Sequence, residues 1–267
     1  MTTPKMSSPA ARAALATAAI VAALGLAGCG DDSRQKALED QVAKLSAQLQ
    51  ATQELATRAR DVQQIENLTR TYGYYIDGGL WSQVADLFAE DSITEIGGEG
   101  IYKGKEGARK QFSLSFGKGI GRGPGQDGLH TGVLFNHPQL QGVVDVDPDG
   151  KTAHGRWRTL AQVAWHGKIA FWNEGTYEND YVKENGVWKF KKLKFWSRYF
   201  TEFDKGWAKQ GIPPIGESAN KPNPDYPPDE PSPPEDLHSM YPQYYFVPPF
   251  HYPNPVSGNP VVIPPQE

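Results

Sequence analysis

The stretch IAFWNEGTYENDYVKENGVWKFKKLKFWSRYF, residues 169–200, decides the fold. Two long runs rich in aromatic residues flank Asn185-Gly186, a dipeptide that suits a two-residue hairpin because both central positions of that turn need positive φ. Upstream, His166-Gly167 and Pro148-Asp149-Gly150 punctuate the chain in the same way. The spacing predicts strands over 141–147, 152–165, 169–183 and 187–200. The last three are long, successive and antiparallel. Trp157, Trp165, Trp172, Tyr177, Tyr181 and Trp188 give them bulky faces, which favours a strongly curved sheet.

N-terminal to the strands the period changes. From Ser33 to about Arg60 there is no Gly or Pro. Leu38, Val42, Leu45, Leu49, Thr52 and Ala56 alternate spacings of four and three, the seam of a coiled coil about three heptads long. This segment is a stalk that pairs with its copies or a single amphipathic helix lying on the domain. Nothing breaks it before Ile65, Leu68, Tyr72 and Tyr75 continue an apolar face. Gly78-Gly79 must stop that helix. A short helix is predicted over 81–89, extended chain at Ile93 and Glu95-Ile96, a third helix over 105–116, and a glycine-rich loop over 117–128. Gly123-Pro124-Gly125 is no phosphate loop, because no Lys-Ser or Lys-Thr follows it. Helices preceding strands in one unit argue an α+β fold.

A formal net charge of −4 over 267 residues lacks the basic footprint that neutralises phosphates, so no nucleic-acid partner is expected. The chain opens with Lys5 and Arg12, then an apolar run over 13–27 that is short for a membrane span. It ends in Leu26-Ala27-Gly28-Cys29, which resembles the lipobox of bacterial lipoproteins. That resemblance implies cleavage before Cys29, a diacylglycerol on its sulfur, and an exported protein anchored to the cell membrane or outer membrane. Cys29 is the single cysteine, so no disulfide is available to an exported domain. At the other end, only Pro4, Pro9, Pro124, Pro138 and Pro148 of the 22 prolines precede Pro213. Such a tail is extended or disordered. Its aromatics, Tyr241, Tyr244, Tyr245, Phe246, Phe250 and Tyr252, suggest that part of it straps onto the domain, the alternative being a wall-spanning or partner-binding linker. The expected organisation is a signal over 1–28, a lipidated stalk over 29–60, a domain over 61–203 and a tail over 204–267.

Tyr72-Gly-Tyr-Tyr-Ile-Asp77-Gly-Gly-Leu-Trp81, then Val84-Ala-Asp-Leu-Phe-Ala-Glu-Asp91, resembles the SnoaL-like branch of the nuclear transport factor 2 superfamily. Gly98-Glu-Gly-Ile-Tyr-Lys-Gly-Lys-Glu-Gly107, Gly155-Arg-Trp-Arg158, Gly175-Thr-Tyr-Glu178 and Trp188-Lys-Phe-Lys-Lys-Leu193 follow in the family's order. The resemblance implies a cone with one deep pocket, walled by a curved sheet wrapped around helices. Its members include scytalone dehydratase, polyketide cyclases and steroid isomerases, which need no cofactor, and others that only bind or assemble. It also implies that Asp77 orients a histidine entering from the sheet, and His137 falls at that histidine's position. His130 lies seven residues earlier in the loop. Tyr74, one turn before Asp77, could donate to a substrate carbonyl. Two departures stand out: Ile76 replaces a tyrosine of the dehydratase, and Leu160 or Ala161 falls where its second pocket histidine belongs. His154 and Arg158 on the neighbouring strand are alternative pocket residues, their face unassigned.

A neutral imidazole exchanges protons near ordinary pH, and a carboxylate fixes its tautomer. Asp77 and His137 therefore suggest a cofactor-independent lyase, isomerase or dehydratase acting on a small hydrophobic or aromatic molecule. The alternative is a noncatalytic ligand-binding or scaffold lipoprotein. No pair among His130, His137, His154, His166, His238 and His251 has metal-ligand spacing, so no metal is expected. The resemblance implies a homodimer formed through the sheet face, and the seam over 38–56 offers a stalk-mediated oligomer instead.

Overall fold

The computed structural model describes residues 32–211, 223–237, 240–243 and 246–264. The signal, the lipobox with Cys29, and His238, Tyr244 and Tyr245 lie outside them. The chain divides into two units, Met1–Ala56 and Thr57–Glu267. In the first, the described residues are helical, and the seam residues Leu38, Leu45 and Leu49 are exposed in the single chain. No helix among the described residues is long and apolar enough to cross a membrane.

The second unit is α+β. Helix α1 (Asp32–Asp77) brings to it a buried stripe of Asp61, Ile65, Thr69, Tyr72, Gly73 and Ile76, spaced at helical repeats. The stripe packs into the sheet by side-chain bonds as well as by apolar contact. Thr69 Oγ1 lies 2.8 Å from Tyr181 Oη, and Asp61 accepts from Trp188 Nε1 at 3.0 Å and Lys183 Nζ at 2.6 Å. The helix ends at Asp77, as Gly78-Gly79 require, with Gly79 at φ +63°. Helix α2 (Trp81–Asp86) follows. Helix α3 (Gly104–Arg109) runs into a π-helical turn, Lys110–Phe116, and then α4 (Gly117–Gly119).

Seven strands form one sheet in the order β2-β1-β7-β6-β5-β3, with β4 also on β5. They are β1 (Phe88–Ile96), β2 (Ile101–Lys103), β3 (Val133–Asn136), β4 (Leu140–Val146), β5 (Thr152–Trp165), β6 (Ile169–Glu184) and β7 (Val187–Glu202). Strands β4 to β7 lie where the hairpin punctuation predicts them. Asn185 (φ +51°) and Gly186 (φ +82°) make the turn that their sequence demands. Every neighbouring pair is antiparallel except β1 and β7, which run parallel. Register shifts at Glu174/Gly175 and Asp180/Tyr181 mark bulges that bend β6 and β7.

Three elements differ from expectation. The second helix stops at Asp86 rather than reaching Ala89, because β1 starts at Phe88, which pairs with Phe190. Strand β2 is only three residues long, and β3 lies in what reads as loop. The tail does strap down. Ile101 N–H donates to Glu230 O (2.8 Å) and Tyr241 N–H to Arg198 O (2.6 Å), while Trp196 Nε1 donates to Asp236 Oδ1 at 2.7 Å. The sheet face on which a homodimer contact is expected therefore carries the protein's own tail.

Candidate active site

Alternation along the strands sends Trp157, Tyr177 and Phe195 inward, where they meet the α1 stripe. Between them lies a pocket of about 360 Å³, room for a molecule of one or two rings. Tyr72 and Ile76 of α1, Phe116, Ile120 and Phe135 give it apolar walls. His137, Tyr177, Asn173 and Glu99 supply its polar groups.

His137 sits on the short crossing from β3 to β4 and is 8% exposed. Burial pushes its imidazole down to about 4, so the ring is neutral at ordinary pH. Nε2 lies 2.5 Å from Tyr177 Oη, and among the described residues Nδ1, itself buried, has no hydrogen-bond partner. Tyr72 and Gln139 lie close enough to Tyr177 to oppose the upward shift that burial gives its phenol. Burial raises both phenols, Tyr72 and Tyr177, above the ordinary tyrosine range, so they stay protonated.

Asp77 does reach His137, but not its ring. Asp77 Oδ1 accepts from the His137 backbone N–H at 2.6 Å. Burial raises the Asp77 carboxyl, and that hydrogen bond opposes the shift. The carboxylate therefore anchors the main chain that carries the imidazole, rather than fixing its tautomer.

The other expected residues lie elsewhere. Tyr74 is 76% exposed and does not line the pocket. It lies about 200° around the helix from buried Tyr72, so it points away from the core. His130 is exposed in the loop before β3. His154 and Arg158 share the face of β5 opposite Trp157, where His154 Nδ1 meets Asp180 Oδ1 at 2.7 Å and Arg158 Nε lies 3.2 Å from Glu174. Ala161, on the inner side of the same strand, does line the pocket.

Glu99 is the group that the sequence did not single out. It sits in the β1–β2 turn among Gly97, Gly98 and Gly100, where no periodicity assigns it a side. Burial raises its carboxyl to about 7, and the neighbouring Gln111 amide opposes the shift. Asn173 donates from Nδ2 to Ser197 Oγ at 3.1 Å and leaves Oδ1 unpartnered. The pocket thus brings a neutral imidazole and a buried amide together with a carboxyl poised near neutrality. Among the described residues, no group of three or more His, Cys, Asp or Glu is gathered as metal ligands would be.

The sequence profile of the SnoaL-like domain family matches residues 57–194, just over half of the chain. Similar solved structures include a candidate scytalone dehydratase from Novosphingobium aromaticivorans, 21% identical, covering 62% of this chain and 99% of that one with a TM-score of 0.47. A hexachlorocyclohexane dehydrochlorinase, LinA type 3 from Novosphingobium barchaimii, is 21% identical over 55% of this chain and 93% of its own, with a TM-score of 0.46. No curated protein matches the sequence.

Proposed function

The chain belongs to the SnoaL-like domain family, and on that premise we propose that it is a cofactor-independent lyase or isomerase acting on a small hydrophobic molecule. The observation that carries the reading is the buried, neutral His137 on the wall of a pocket that Glu99 also lines. In this reading Glu99, as carboxylate, removes a proton from carbon beside a substrate carbonyl. The neutral imidazole of His137 donates an N–H to the oxygen on which enolate charge develops, serving there as an electrophile. Returning the proton to another carbon completes an isomerisation, and loss of a group from the next carbon completes an elimination. Asp77 is a positioning residue that acts through the His137 backbone.

The test is deuterium uptake from D2O into 2-cyclohexenone and 1-tetralone by the purified full chain, followed by proton NMR. Glu99→Gln and His137→Ala are each expected to slow uptake by about 100-fold or more. Uptake should rise with pH and level off above about 7, where Glu99 is ionised. Asp77→Asn keeps an oxygen acceptor, so it should cost less than about tenfold, whereas a carboxylate–imidazole dyad would lose orders of magnitude. No uptake above the uncatalysed rate would favour a ligand-binding module instead. The bond from Asp77 to main chain rather than imidazole is the one observation on that side.

We further propose that the chain is exported and held at a bilayer by lipid on Cys29, with residues 33–56 as a stalk that sets its oligomeric state. The lipobox spacing and the exposed Leu38, Leu45 and Leu49 support this. Incorporation of a labelled fatty acid that Cys29→Ser abolishes is the expected result.

A further inference from the structure

The outer face of the sheet carries a second cavity, of about 520 Å³, which the proton chemistry above does not use. Strands β4 to β7 floor it, and Val247, Phe250 and Tyr252 of the tail roof it. Three guanidiniums converge on it, from Arg156 and Arg158 of β5 and Arg198 of β7. They are close enough that Arg158 and Arg198 both add to the lowering of Arg156, which burial dominates and Glu178 opposes.

Arg156 is internally satisfied. It pairs with Glu178 (Nη1 to Oε1, 2.6 Å) and donates from Nη2 to Pro248 O at 2.9 Å, which fastens the tail. Arg158 and Arg198 are not. Both approach one carboxylate, Glu174, through Nε at 3.2 and 3.5 Å. Neither contact is aligned as a hydrogen bond, and Glu174 Oε1 is left without a donor. Their Nη groups have no hydrogen-bond partner among the described residues, so two donor forks and one unneutralised positive charge face the cavity.

Two aromatic rings of the tail stand over these guanidiniums. The Phe250 ring lies 3.8 Å from the Arg156 guanidinium, and Tyr252 packs edge-on against it at 5.5 Å. The opposite rim is a bulge, with a register shift between Leu140 and Val143 and Gln141 at φ +56°. Gly142 is required there, because a Cβ would stand 2.4 Å from the Trp157 ring. The strand is thus bent away just where the cavity opens.

We propose that this cavity binds a small organic monoanion, a carboxylate on a flat aromatic body, gripped by the Nη forks of Arg158 and Arg198 and covered by Phe250 and Tyr252. Two guanidiniums against one carboxylate leave room for one negative charge. The probe is benzoate, titrated calorimetrically into the full chain, with benzamide as its uncharged counterpart. Saturable benzoate binding is expected, with benzamide weaker by at least about tenfold. The double variant Arg158→Gln, Arg198→Gln should lose a similar factor. His137→Ala, which alters only the inner pocket, should leave benzoate affinity unchanged. Equal affinity for benzamide, an unaffected double variant, loss of binding in His137→Ala, or no saturable binding to wild type would each overturn the assignment. The benzamide comparison needs no variant, so it decides even where the double variant fails to fold.

Discussion

The two faces of the sheet come from alternate residues of the same strands, yet they generate reactivity by opposite means. Inside, Trp157, Tyr177, Tyr181 and Phe195 exclude water, and the few polar groups among them are perturbed by desolvation: His137 falls and Glu99 rises. Outside, cross-strand neighbours are charged. Arg156 opposes Glu178, which opposes Lys194, and Lys194 is held between Glu95 at 3.1 Å and Asp236. Such a ladder keeps its charges because it can pair them, and the tail then shields the pairs from solvent. Desolvation without pairing makes a site for proton transfer; pairing with a surplus of one sign makes a site for an ion.

The sharpest test of this contrast is Trp157→Ala. Trp157 is 2% exposed and donates from Nε1 to Tyr181 Oη at 2.9 Å, and its ring fills the space left by Gly142. The loss should be about 3–5 kcal/mol, seen as a cooperative drop in Tm. A loss under about 1 kcal/mol would mean that the inner face is not the protein's main core. On the outer face the largest effect is expected at Asp236, 8% exposed. Asp236→Ala leaves Trp196 Nε1 without its acceptor and should cost about 2–3 kcal/mol. Limited proteolysis should then cut the tail before the sheet. If the tail were merely adsorbed, the cost would stay within about 0.5 kcal/mol.

This division explains what could be read in advance. Turn chemistry is local, so Asn185-Gly186, His166-Gly167 and Pro148-Asp149-Gly150 locate β5 to β7 within a residue or two. The start of strand β1 escapes because Val84, Leu87 and Phe88 fit one helical face, and only pairing of Phe88 with Phe190 decides against it. Tyr74 misleads for a related reason. Its distance from Asp77 along the helix is right, but the helix's orientation is set by Tyr72, Gly73 and Ile76, all buried. Glu99 is invisible because nothing in a glycine cluster tells which carboxyl folding will desolvate. His137 is found through its place in the family pattern, while its partner, Tyr177, reads only as one more bulky strand residue.

Glu99 also gives the inner face a pH signature. Its carboxyl rises from an ordinary 4.5 to about 7 in the folded chain, so within that window the folded state holds a proton that the unfolded state has released. Stability therefore falls as pH rises from 4.5 through 7, and levels off above. Glu99→Gln removes the ionisable group. Its stability should match wild type near pH 4.5 and exceed it at pH 8 by about 1–2 kcal/mol once partial solvent access is discounted, seen as a higher Tm. A variant less stable than wild type at pH 8 would mean that the carboxylate is stabilised by a partner.

The smallest effect tests where the outer face ends. Phe250 contributes its ring above Arg156 at 3.8 Å, while Arg156 remains bound to Glu178 and to the Pro248 carbonyl without it. Phe250→Ala should therefore cost only about 0.5–1 kcal/mol, the scale of one cation–π contact. Amide exchange should quicken at residues 250–252 and leave β5 to β7 unchanged. Faster exchange at Arg156 and Glu178 as well would mean that the tail is an integral layer of the sheet, its aromatic roof and the charged ladder beneath it opening as one cooperative unit.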